Sequence, residues 1–560
     1  MEPTFAQGQI RDEAALNMRI IAPAGCGKTE ALAFRVAGLV SRGQVRPPQK
    51  VLVITFSKRA RDNIRDRLRS HLTPAQLQQL VTVINFHGLA GRVIQAHGNV
   101  IGLDPELGIP TADWVGDQCR VRRLTFQRKG FVEKTLLEAK LEAHDDARVG
   151  DALRLAGDEV AIDIERQRVA EQILTYDDLP RLAELILAND AVADLYRHHF
   201  ACAIVDEFQD LTLQQLRIVN SIAYARTTYA GDIAQGIYGF AGARPEEVLQ
   251  HIEKETGLEI SFSQSHRSSP AVIVMVNALA PLTDGQQLTC AVPDSWPHGG
   301  LAAVVRCGST ADEAAWAVRF SRAVLQRARG QRIGVMTRTK SRRRFVEAAL
   351  AAADVAHFRW DDPLMDSETA QITFQLLSDV TQHECDVASE LSAFLAERAS
   401  MATIQDADTR SSLTEVIGWI CDQLRDGIAL DAIRGRVRIG AETALLSAAG
   451  VHLLSGHVGK GQQFDWVVVL GAEDGCIPDF RADTDAELAE EARILGVMMS
   501  RARHGVLVLH ADHVEDSTGR LWSKNPSRFL SRLTSAPGCF DKEGAVNWLT
   551  DADWQSIAAR

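Results

Sequence analysis

The residues Ala22 to Thr29 combine small side chains with one lysine and one threonine. Small residues let backbone amides curl around a phosphate group, and the N-terminus of a following helix supplies further donors. In such a loop Lys28 contributes positive charge and Thr29 contributes a hydroxyl ligand for Mg²⁺. The spacing predicts a phosphate-binding loop, the alternative being a chance turn before a helix. Before Lys28 we expect it to be lined by Ala22, Ala24, Gly25, Cys26 and Gly27.

Two adjacent carboxylates follow the apolar pair Ile204 and Val205. Ligands gather at the C-terminal ends of parallel strands, so both carboxylates would face a bound nucleotide. Asp206 can join the ligands of Mg²⁺, and Glu207 can orient and deprotonate the attacking water. An aspartate in such a turn can instead cap the next helix. The phosphate loop upstream favours the hydrolytic interpretation.

Further sequence blocks accompany these two motifs. They read TFSKRA from Thr55, NFHGL from Asn85, DEFQD from Asp206, GDIAQGIYGFAGA from Gly231, SHRS from Ser265, SGHVGKGQQFD from Ser455 and MSRA from Met499. In this order the blocks resemble the UvrD/Rep/PcrA branch of superfamily 1 helicases over nearly the whole chain. The resemblance implies an α/β fold of two RecA-like P-loop domains with mainly helical inserted accessory domains. It also implies an ATP-dependent 3′ to 5′ DNA helicase that uses ATP and Mg²⁺.

The same resemblance implies which residues surround the γ-phosphate. Gln235 would sense this phosphate, and Arg267 and Arg501 would reach it as arginine fingers from the second α/β domain. An arginine delivered to the transferring phosphoryl group accelerates such reactions roughly 10³- to 10⁵-fold. For each arginine the alternative is a surface ion pair. The catalytic set that we expect is Lys28, Thr29, Asp206, Glu207, Gln235, Arg267 and Arg501.

Three residues are expected to contact the nucleoside of ATP. His266 replaces the family's tyrosine that stacks on adenine, and Gln463 replaces the glutamate that holds the ribose. Gln9 is our choice for the glutamine that reads adenine, because its distance to Lys28 along the chain fits. Gln7 is the alternative for this role.

The resemblance also implies a set of DNA contacts. Phe56, Phe86 and Phe240 would stack on bases, which contributes about 1–3 kcal/mol per base and tolerates any sequence. The alternative for Phe56 and Phe86 is a place in the core beside the strands. His87 lies in the same block as Phe86, and His457 would touch the DNA backbone.

Cys26 lies where serine is more usual in the phosphate loop. A nearby lysine and a helix N-terminus both lower the pKa of a thiol. From the sequence we therefore expect Cys26 to be reactive, so that its alkylation inhibits the ATPase and bound ATP protects it.

The chain has 560 residues, of which 46% are hydrophobic, and a formal net charge of −12. The length predicts about three or four domains. The negative charge means that DNA must be held by a local groove and by stacking, not by an overall basic surface. No apolar run approaches the roughly 20 residues of a membrane span, and no signal peptide is evident, so we expect a cytoplasmic protein without membrane partners.

Apolar runs alternate with helical spacing in two parts of the chain, which predicts two parallel sheets flanked by helices. Two charged, mainly helical stretches interrupt this alternation. We predict a first RecA-like domain (1A) at 1–92 and 175–256, a helical insertion (1B) at 93–174, a second RecA-like domain (2A) at 257–360 and 451–540, a reduced insertion (2B) at 361–450, and a C-terminal tail at 541–560.

Three functions are consistent with these features. The first is an autonomous helicase in DNA repair that acts on single-stranded DNA and on 3′-tailed duplexes. The second is a DNA-stimulated ATPase subunit that regulates a partner nuclease, as in Gabija-type antiphage systems that contain a UvrD-like helicase. The third is a nucleotide-gated DNA-binding module that hydrolyses ATP but hardly moves.

Overall fold

The structure, a computed structural model, contains two large α/β domains and two helical insertions. It describes residues 3–104, 114–360, 364–365, 367–404, 407–425, 427–439, 448–457, 459–516 and 519–560. The expected fold class is confirmed, because both large sheets are built mainly from parallel strands with helices on both faces.

The first sheet has six parallel strands. Their order is Val81–Asn85, Lys50–Thr55, Phe200–Asp206, Thr227–Gly231, Met18–Ile21 and Glu259–Ser261. Phe200–Asp206 is buried along its whole length, as expected for a strand covered on both faces. One face packs against the helices Phe86–His97, Asp178–Leu187, Asp190–His199, Leu213–Ala223 and Pro245–Glu255. The other packs against Phe5–Asp12, Lys28–Ser41, Lys58–Arg69 and Pro74–Leu80.

The second sheet has seven strands. Along its main path the order is His357–Arg359, Gly450–Ser455, Arg332–Thr337, Phe464–Leu470, Ala502–Glu515 and Leu521–Ser523, and Leu301–Ser309 also pairs with Ala502–Glu515. The pairing of Leu521–Ser523 is antiparallel. One face packs against the helices Pro270–Thr283, Asp485–Met499 and Leu530–Thr534. The other packs against Thr310–Arg327, Lys340–Ala352, Lys542–Asp551 and Trp554–Ala559.

Each insertion has a helical core of its own. The first contains Trp114–Val121, Phe126–Lys140, Asp146–Ala156 and Glu159–Ala170. The second contains Ser367–Asp379, Gln382–Val387, Leu391–Arg398, Ala407–Arg425 and Leu430–Arg434, with a small sheet of Leu364–Met365 and Arg438–Ile439. The start predicted for the second insertion, residue 361, lies outside the described residues.

The remaining elements are short. Gln264–Ser265 pairs with Thr289–Cys290. Single 3₁₀ turns occur at Gly98–Ile101, Phe208–Asp210, Ile233–Gln235, Gly239–Ala241, Pro293–Ser295, Pro297–Gly299 and Met401–Thr403. Within the described ranges, no helix has the length and apolar character needed to cross a membrane.

The predicted start of the first insertion, residue 93, is wrong, because it falls inside the helix Phe86–His97, whose Val93 and Ile94 pack in the core of the first domain. Two further boundaries need correction. Glu259–Ser261 was assigned to the second domain, but it completes the first sheet by pairing with Met18–Ile21. Residues 541–560 were expected to form a tail, but Trp548 and Ile557 pack into the core of the second domain. Both segments are short, and only tertiary packing shows where they belong.

Candidate functional site

The phosphate loop connects the end of Met18–Ile21 to the start of Lys28–Ser41. Gly25 and Gly27 have φ of +83° and +84°, a left-handed conformation that side chains rarely adopt. A Cβ on Gly25 would also lie 2.5 Å from Ser265 Oγ and 2.7 Å from the Cβ of Arg267. The loop therefore keeps open backbone amides at the N-terminus of a helix, which suits a phosphate group.

Neighbouring segments fix the rest of this loop. Ala22 donates its N–H to the carbonyl of Gly231 at 2.9 Å, and the carbonyl of Ala24 accepts from Ser265 Oγ at 3.4 Å. Thr29 is the second residue of the helix, beside Lys28. The sequence Ala22 to Thr29 thus has the local geometry expected of a phosphate-binding loop.

An ion cluster lies at the C-terminal ends of the neighbouring strands. Lys28 Nζ is 2.8 Å from Asp206 Oδ1 and 2.5 Å from Glu207 Oε1. Burial opposes the charge on Lys28, but the two carboxylates outweigh it and raise the pKa of the ammonium. Burial also opposes ionisation of Glu207, yet Lys28 and Lys460 lower the pKa of its carboxyl to about 2. Glu207 is therefore an ionised carboxylate at neutral pH.

The backbone at Glu207 has φ of +59°, which is uncommon for a residue with a side chain. Such a conformation persists only when its surroundings hold it, and it is frequent at functional sites. Gln209 Nε2 donates to Glu207 Oε2 at 2.5 Å, and Gln209 Oε1 accepts from the N–H of Asp232 at 3.0 Å. These contacts fix the carboxylate in a position where it could orient a water molecule.

The donor set of this cluster suits Mg²⁺. Asp206 presents carboxylate oxygens, and Thr29 has a hydroxyl at the helix start; both are hard oxygen ligands of the kind that Mg²⁺ prefers. In this structure the ammonium of Lys28 lies against both carboxylates, so these oxygens already face a positive charge.

Two arginines from the opposite side converge on the cluster. Arg501 Nη2 donates to Gln235 Oε1 at 3.3 Å, and Arg267 Nη1 donates to the carbonyl of Ser500 at 3.4 Å. Burial lowers the pKa of Arg267 to about 10 and that of Arg501 to about 9, while the charge of Glu207 opposes both shifts. Both guanidinium groups remain charged at neutral pH and face the ion cluster.

Four aromatic side chains form a second site beside Gln235. Phe56 stacks on Tyr238, with ring centroids 5.0 Å apart and planes 24° apart. Phe240, which is 67% exposed, lies 5.9 Å from Tyr238 and edge-on to His457 at 5.1 Å. We call Phe56, Tyr238, Phe240 and His457 the aromatic cluster. Phe240 is the exposed ring of this cluster, and an exposed flat ring can stack on a base.

Lys460 connects the two sites. Its Nζ lies 2.7 Å from both carboxylate oxygens of Asp210 and 2.7 Å from the carbonyl oxygen of Gln235. The same ammonium lies 5.0 Å from the ring centroid of Tyr238. One side chain of the second domain thus contacts Asp210 of the acidic motif, the backbone of Gln235 and the aromatic cluster.

Two protein-family models match this chain. The UvrD/REP helicase N-terminal domain matches residues 4–256, and the UvrD-like helicase C-terminal domain matches residues 429–511. Together they cover more than half of the chain, including the phosphate loop, the acidic motif and Arg501. The chain belongs to the UvrD/REP helicase family.

Named relatives agree with this assignment. The chain is 25% identical to the ATP-dependent DNA helicase UvrD2 of Mycobacterium tuberculosis, over 92% of this chain and 79% of that protein. It is 23% identical to DNA helicase II of Haemophilus influenzae, over 92% of this chain and 85% of that protein. A shorter match, 30% identical, covers 46% of this chain and 36% of the ATP-dependent DNA helicase PcrA of Leuconostoc citreum.

Several residues in this UvrD/REP helicase are placed differently from our expectations. Gln9 is exposed, whereas Gln7 is buried and its Nε2 donates to the carbonyl of Gly27 at 3.4 Å. The capping box between Thr4 and Gln7 turns Gln7 toward the phosphate loop. These contacts favour Gln7, the alternative from the sequence, over Gln9, and the contact with adenine itself stays a prediction.

His266 and Gln463 are both exposed near the nucleotide site. The backbone N–H of His266 donates to the carbonyl of Gly25 at 3.0 Å. Gln463 precedes Phe464, whose N–H donates to the carbonyl of Arg501 at 2.9 Å. His266 therefore borders the loop and Gln463 lies near Arg501, and their contacts with adenine and ribose stay predictions.

The expectation for Cys26 is wrong. Its side chain is 1% exposed and packs in the core of the first domain. Burial and the charge of Asp232 raise the pKa of the thiol to about 12, although Arg267 opposes this shift. Lys28 does not counteract the burial, because its ammonium is held by Asp206 and Glu207.

The expectation of stacking is also wrong for Phe86. Phe86 is 5% exposed and packs in the core of the first domain, where it begins the helix Phe86–His97. His87, the next residue, is exposed and makes an edge contact with Tyr176 at 6.0 Å. A DNA contact by His87 stays a prediction.

His457 contributes a neutral ring to the aromatic cluster. Its Nε2 donates to the carbonyl of Ile237 at 3.1 Å, and burial lowers the pKa of the imidazole to about 4. A neutral imidazole protonated at Nε2 can only accept at Nδ1. His457 packs edge-on against Phe240, and its expected contact with the DNA backbone stays a prediction.

Sequence reasoning missed Tyr238 and Lys460. Both lie in the blocks that carry the resemblance, and Tyr238 is an aromatic residue two positions before Phe240. That spacing could have indicated Tyr238. The sequence does not predict the ion pair between Lys460 and Asp210, because 250 residues separate them.

Proposed function

We propose that this chain is an ATP-dependent helicase or translocase that moves 3′ to 5′ along single-stranded DNA. The observation that supports this most is the set of contacts by which Lys460 and Gln235 link Asp210 and Arg501 to the aromatic cluster. A nucleotide-dependent movement of one site would move the other, because both share these side chains. The direction is taken from the resemblance to the family.

The chemistry of ATP hydrolysis follows from the ion cluster. The loop amides and Lys28 would bind the phosphates, and Glu207 would orient the attacking water and accept its proton. Arg267 and Arg501 would neutralise charge on the γ-phosphoryl group. Mg²⁺, held by Thr29 and Asp206, would further neutralise the phosphate oxygens.

Movement on DNA would result from closure and opening of the cleft between the α/β domains. ATP attracts Arg267 and Arg501, which belong to the side of the cleft opposite Lys28. Gln235 accepts from Arg501 and lies near Tyr238 and Phe240 along the chain, so closure would shift the stacking rings. Alternating closure and opening would then change the grip on successive bases.

The test is steady-state ATPase activity with and without single-stranded DNA, for wild type and for Glu207→Gln. We expect strong stimulation by DNA, and a decrease in kcat of about 10²- to 10⁴-fold in the variant because the ionised base is lost. Strand displacement from 3′-tailed but not 5′-tailed duplexes would support the direction. DNA-independent turnover in wild type would contradict the coupling and favour an ATPase subunit controlled by a partner nuclease.

A further inference from the structure

A large cavity lies between the two α/β domains and the two insertions. Its volume is about 2870 Å³, several times the roughly 300–1,000 Å³ of a small-molecule site. Residues of all four parts line it, including Phe131, Phe240, Asp422 and Phe480. A cavity of this size with walls from four parts fits a polymer better than a single nucleotide.

Much of the charge on its wall is already paired. Arg338 lies 2.8 Å from Glu491, and Arg342 lies 2.8 Å from Glu473. The chain as a whole also carries a net charge of −12. Nucleic acid held here would therefore depend strongly on stacking as well as on charge.

Two phenylalanines face this cavity from different parts of the molecule. Phe131 belongs to the first insertion and is 55% exposed, and Phe480 belongs to the second α/β domain and is 68% exposed. A guanidinium carbon lies 5.4 Å from each ring centroid, that of Arg128 at Phe131 and that of Arg481 at Phe480. The two walls thus present the same arrangement of an exposed ring with an arginine beside it.

A buried aspartate fixes each of these arginines. Arg128 donates to both carboxylate oxygens of Asp158, at 2.7 and 2.8 Å. Arg481 donates to both oxygens of Asp479, at 2.8 and 3.0 Å. Paired contacts of this kind set the plane of a guanidinium group and so hold it in place against the ring.

The turn that carries Phe480 is also held firmly. Asp479 donates its N–H to Glu491 Oε2 at 2.9 Å, and Gly475 donates to the carbonyl of Pro478 at 3.0 Å. Ile477 anchors the turn in the core of the second domain. An exposed ring on a fixed turn loses little freedom when it binds, which favours binding.

We propose that Phe131 and Phe480 form a second base-stacking pair that holds single-stranded DNA in this cavity, in addition to the aromatic cluster. The proposal rests on the proposed function, since it extends the same DNA path. Large exposed apolar groups beside a cavity mark binding surfaces, and the arginines, whose charge is paired with Asp158 and Asp479, hold the two rings by cation–π contacts. Long strands would contact both sites, whereas short strands would occupy the aromatic cluster alone.

The experiment measures binding of long and short oligothymidylates to wild type, Phe131→Ala, Phe480→Ala and Phe240→Ala. Tyr224→Ala is the matched control, because Tyr224 is an exposed ring outside the cavity lining. We expect Phe131→Ala and Phe480→Ala each to weaken binding of the long strand about 5- to 150-fold. Both should leave the short strand unaffected, whereas Phe240→Ala should weaken binding of both strands.

Phe480→Trp provides a direct readout. A stacked indole should keep the affinity for the long strand, and its fluorescence should be quenched only by that strand. The proposal is overturned if wild type binds DNA and shows stimulated ATPase while both alanine variants match Tyr224→Ala. If wild type neither binds DNA nor is stimulated by it, the proposed function itself fails.

Discussion

Cys26 lies two residues before Lys28 in the phosphate loop, but the charge of that lysine does not lower the pKa of the thiol. The ammonium of Lys28 is held by Asp206 and Glu207, so burial decides the protonation of the thiol. The pKa of about 12 means that almost no thiolate is present at neutral pH. Cys26 therefore acts as a packing residue of the loop.

We expect iodoacetamide at neutral pH to leave Cys26 unmodified in the folded protein, with the ATPase activity retained. The same reagent should modify Cys26 once urea unfolds the chain. Peptide mass spectrometry measures the modified fraction, and the partly exposed Cys290 shows that the reagent is active. Rapid modification of Cys26 in the folded state, with loss of activity, would restore the reactive-thiol hypothesis.

Asp210 should make stability depend on pH. Burial raises the pKa of its carboxyl to about 7, although Lys460 opposes the shift. Between about pH 4 and about pH 7 the Asp210 carboxyl is therefore protonated in the folded state and ionised in the unfolded state. The stability from this group is present below that window and is lost as the pH rises through it.

The variant Asp210→Asn cannot titrate at this position. We expect its melting temperature to fall less than that of wild type as the pH rises from about 5 to about 8. The difference between the two curves of melting temperature against pH reports the titration of Asp210, because both proteins contain the same other buried acids. Parallel curves would show that Asp210 keeps an ordinary pKa.

The helix Phe5–Asp12 places Gln7, and not Gln9, against the phosphate loop. Its capping box uses Gln7 at the third position and turns it toward Gly27, while Gln9 faces solvent. We expect Gln7→Ala to raise the KM for ATP about 2- to 10-fold, as for the loss of one hydrogen bond, and to weaken discrimination against GTP. Gln9→Ala is the control and should match wild type; equal effects of the two variants would contradict this assignment.

The nucleotide site could largely be predicted from sequence, because its residues occupy short continuous segments. Ala22 to Thr29 and Asp206 with Glu207 each follow a buried strand, and the parallel sheet brings their ends together. The DNA site was harder to predict. Phe56 and Phe86 both follow strands, yet Phe86 begins a helix that faces the core, and Phe56 lies in a loop beside Tyr238.

Long-range pairs mark the limit of sequence reasoning for the whole molecule. Lys460 meets Asp210 across the cleft between the domains, and Glu259–Ser261 joins the first sheet although only one of its residues is apolar. Propensity does not specify such pairings, because the contacts that stabilise them exist only after folding.

The two insertions also contact each other directly. Asp117 of the first insertion is buried and accepts from the backbone N–H of Ser392 at 3.1 Å and from Arg425 Nη2 at 2.9 Å. Arg120 adds a hydrogen bond from its Nη2 to the carbonyl of Cys385 at 2.9 Å. These contacts join the two insertions, and residues of both insertions line the same cavity as Phe131 and Phe480.

Removing Asp117 should loosen this junction without unfolding the domains. Asp117→Ala removes the buried acceptor of the Ser392 amide and of Arg425 Nη2, while Arg425 keeps its ion pair with Asp422. Leaving a buried donor unsatisfied costs about 1–3 kcal/mol. We expect faster hydrogen exchange in Trp114–Val121 and Leu391–Arg398, and unchanged exchange in Phe200–Asp206. Asp163→Ala is the control, because Asp163 is an exposed aspartate of the same insertion that pairs with Arg122 and Arg166. Unchanged exchange in both junction helices would mean that the insertions are held together by their apolar contacts instead.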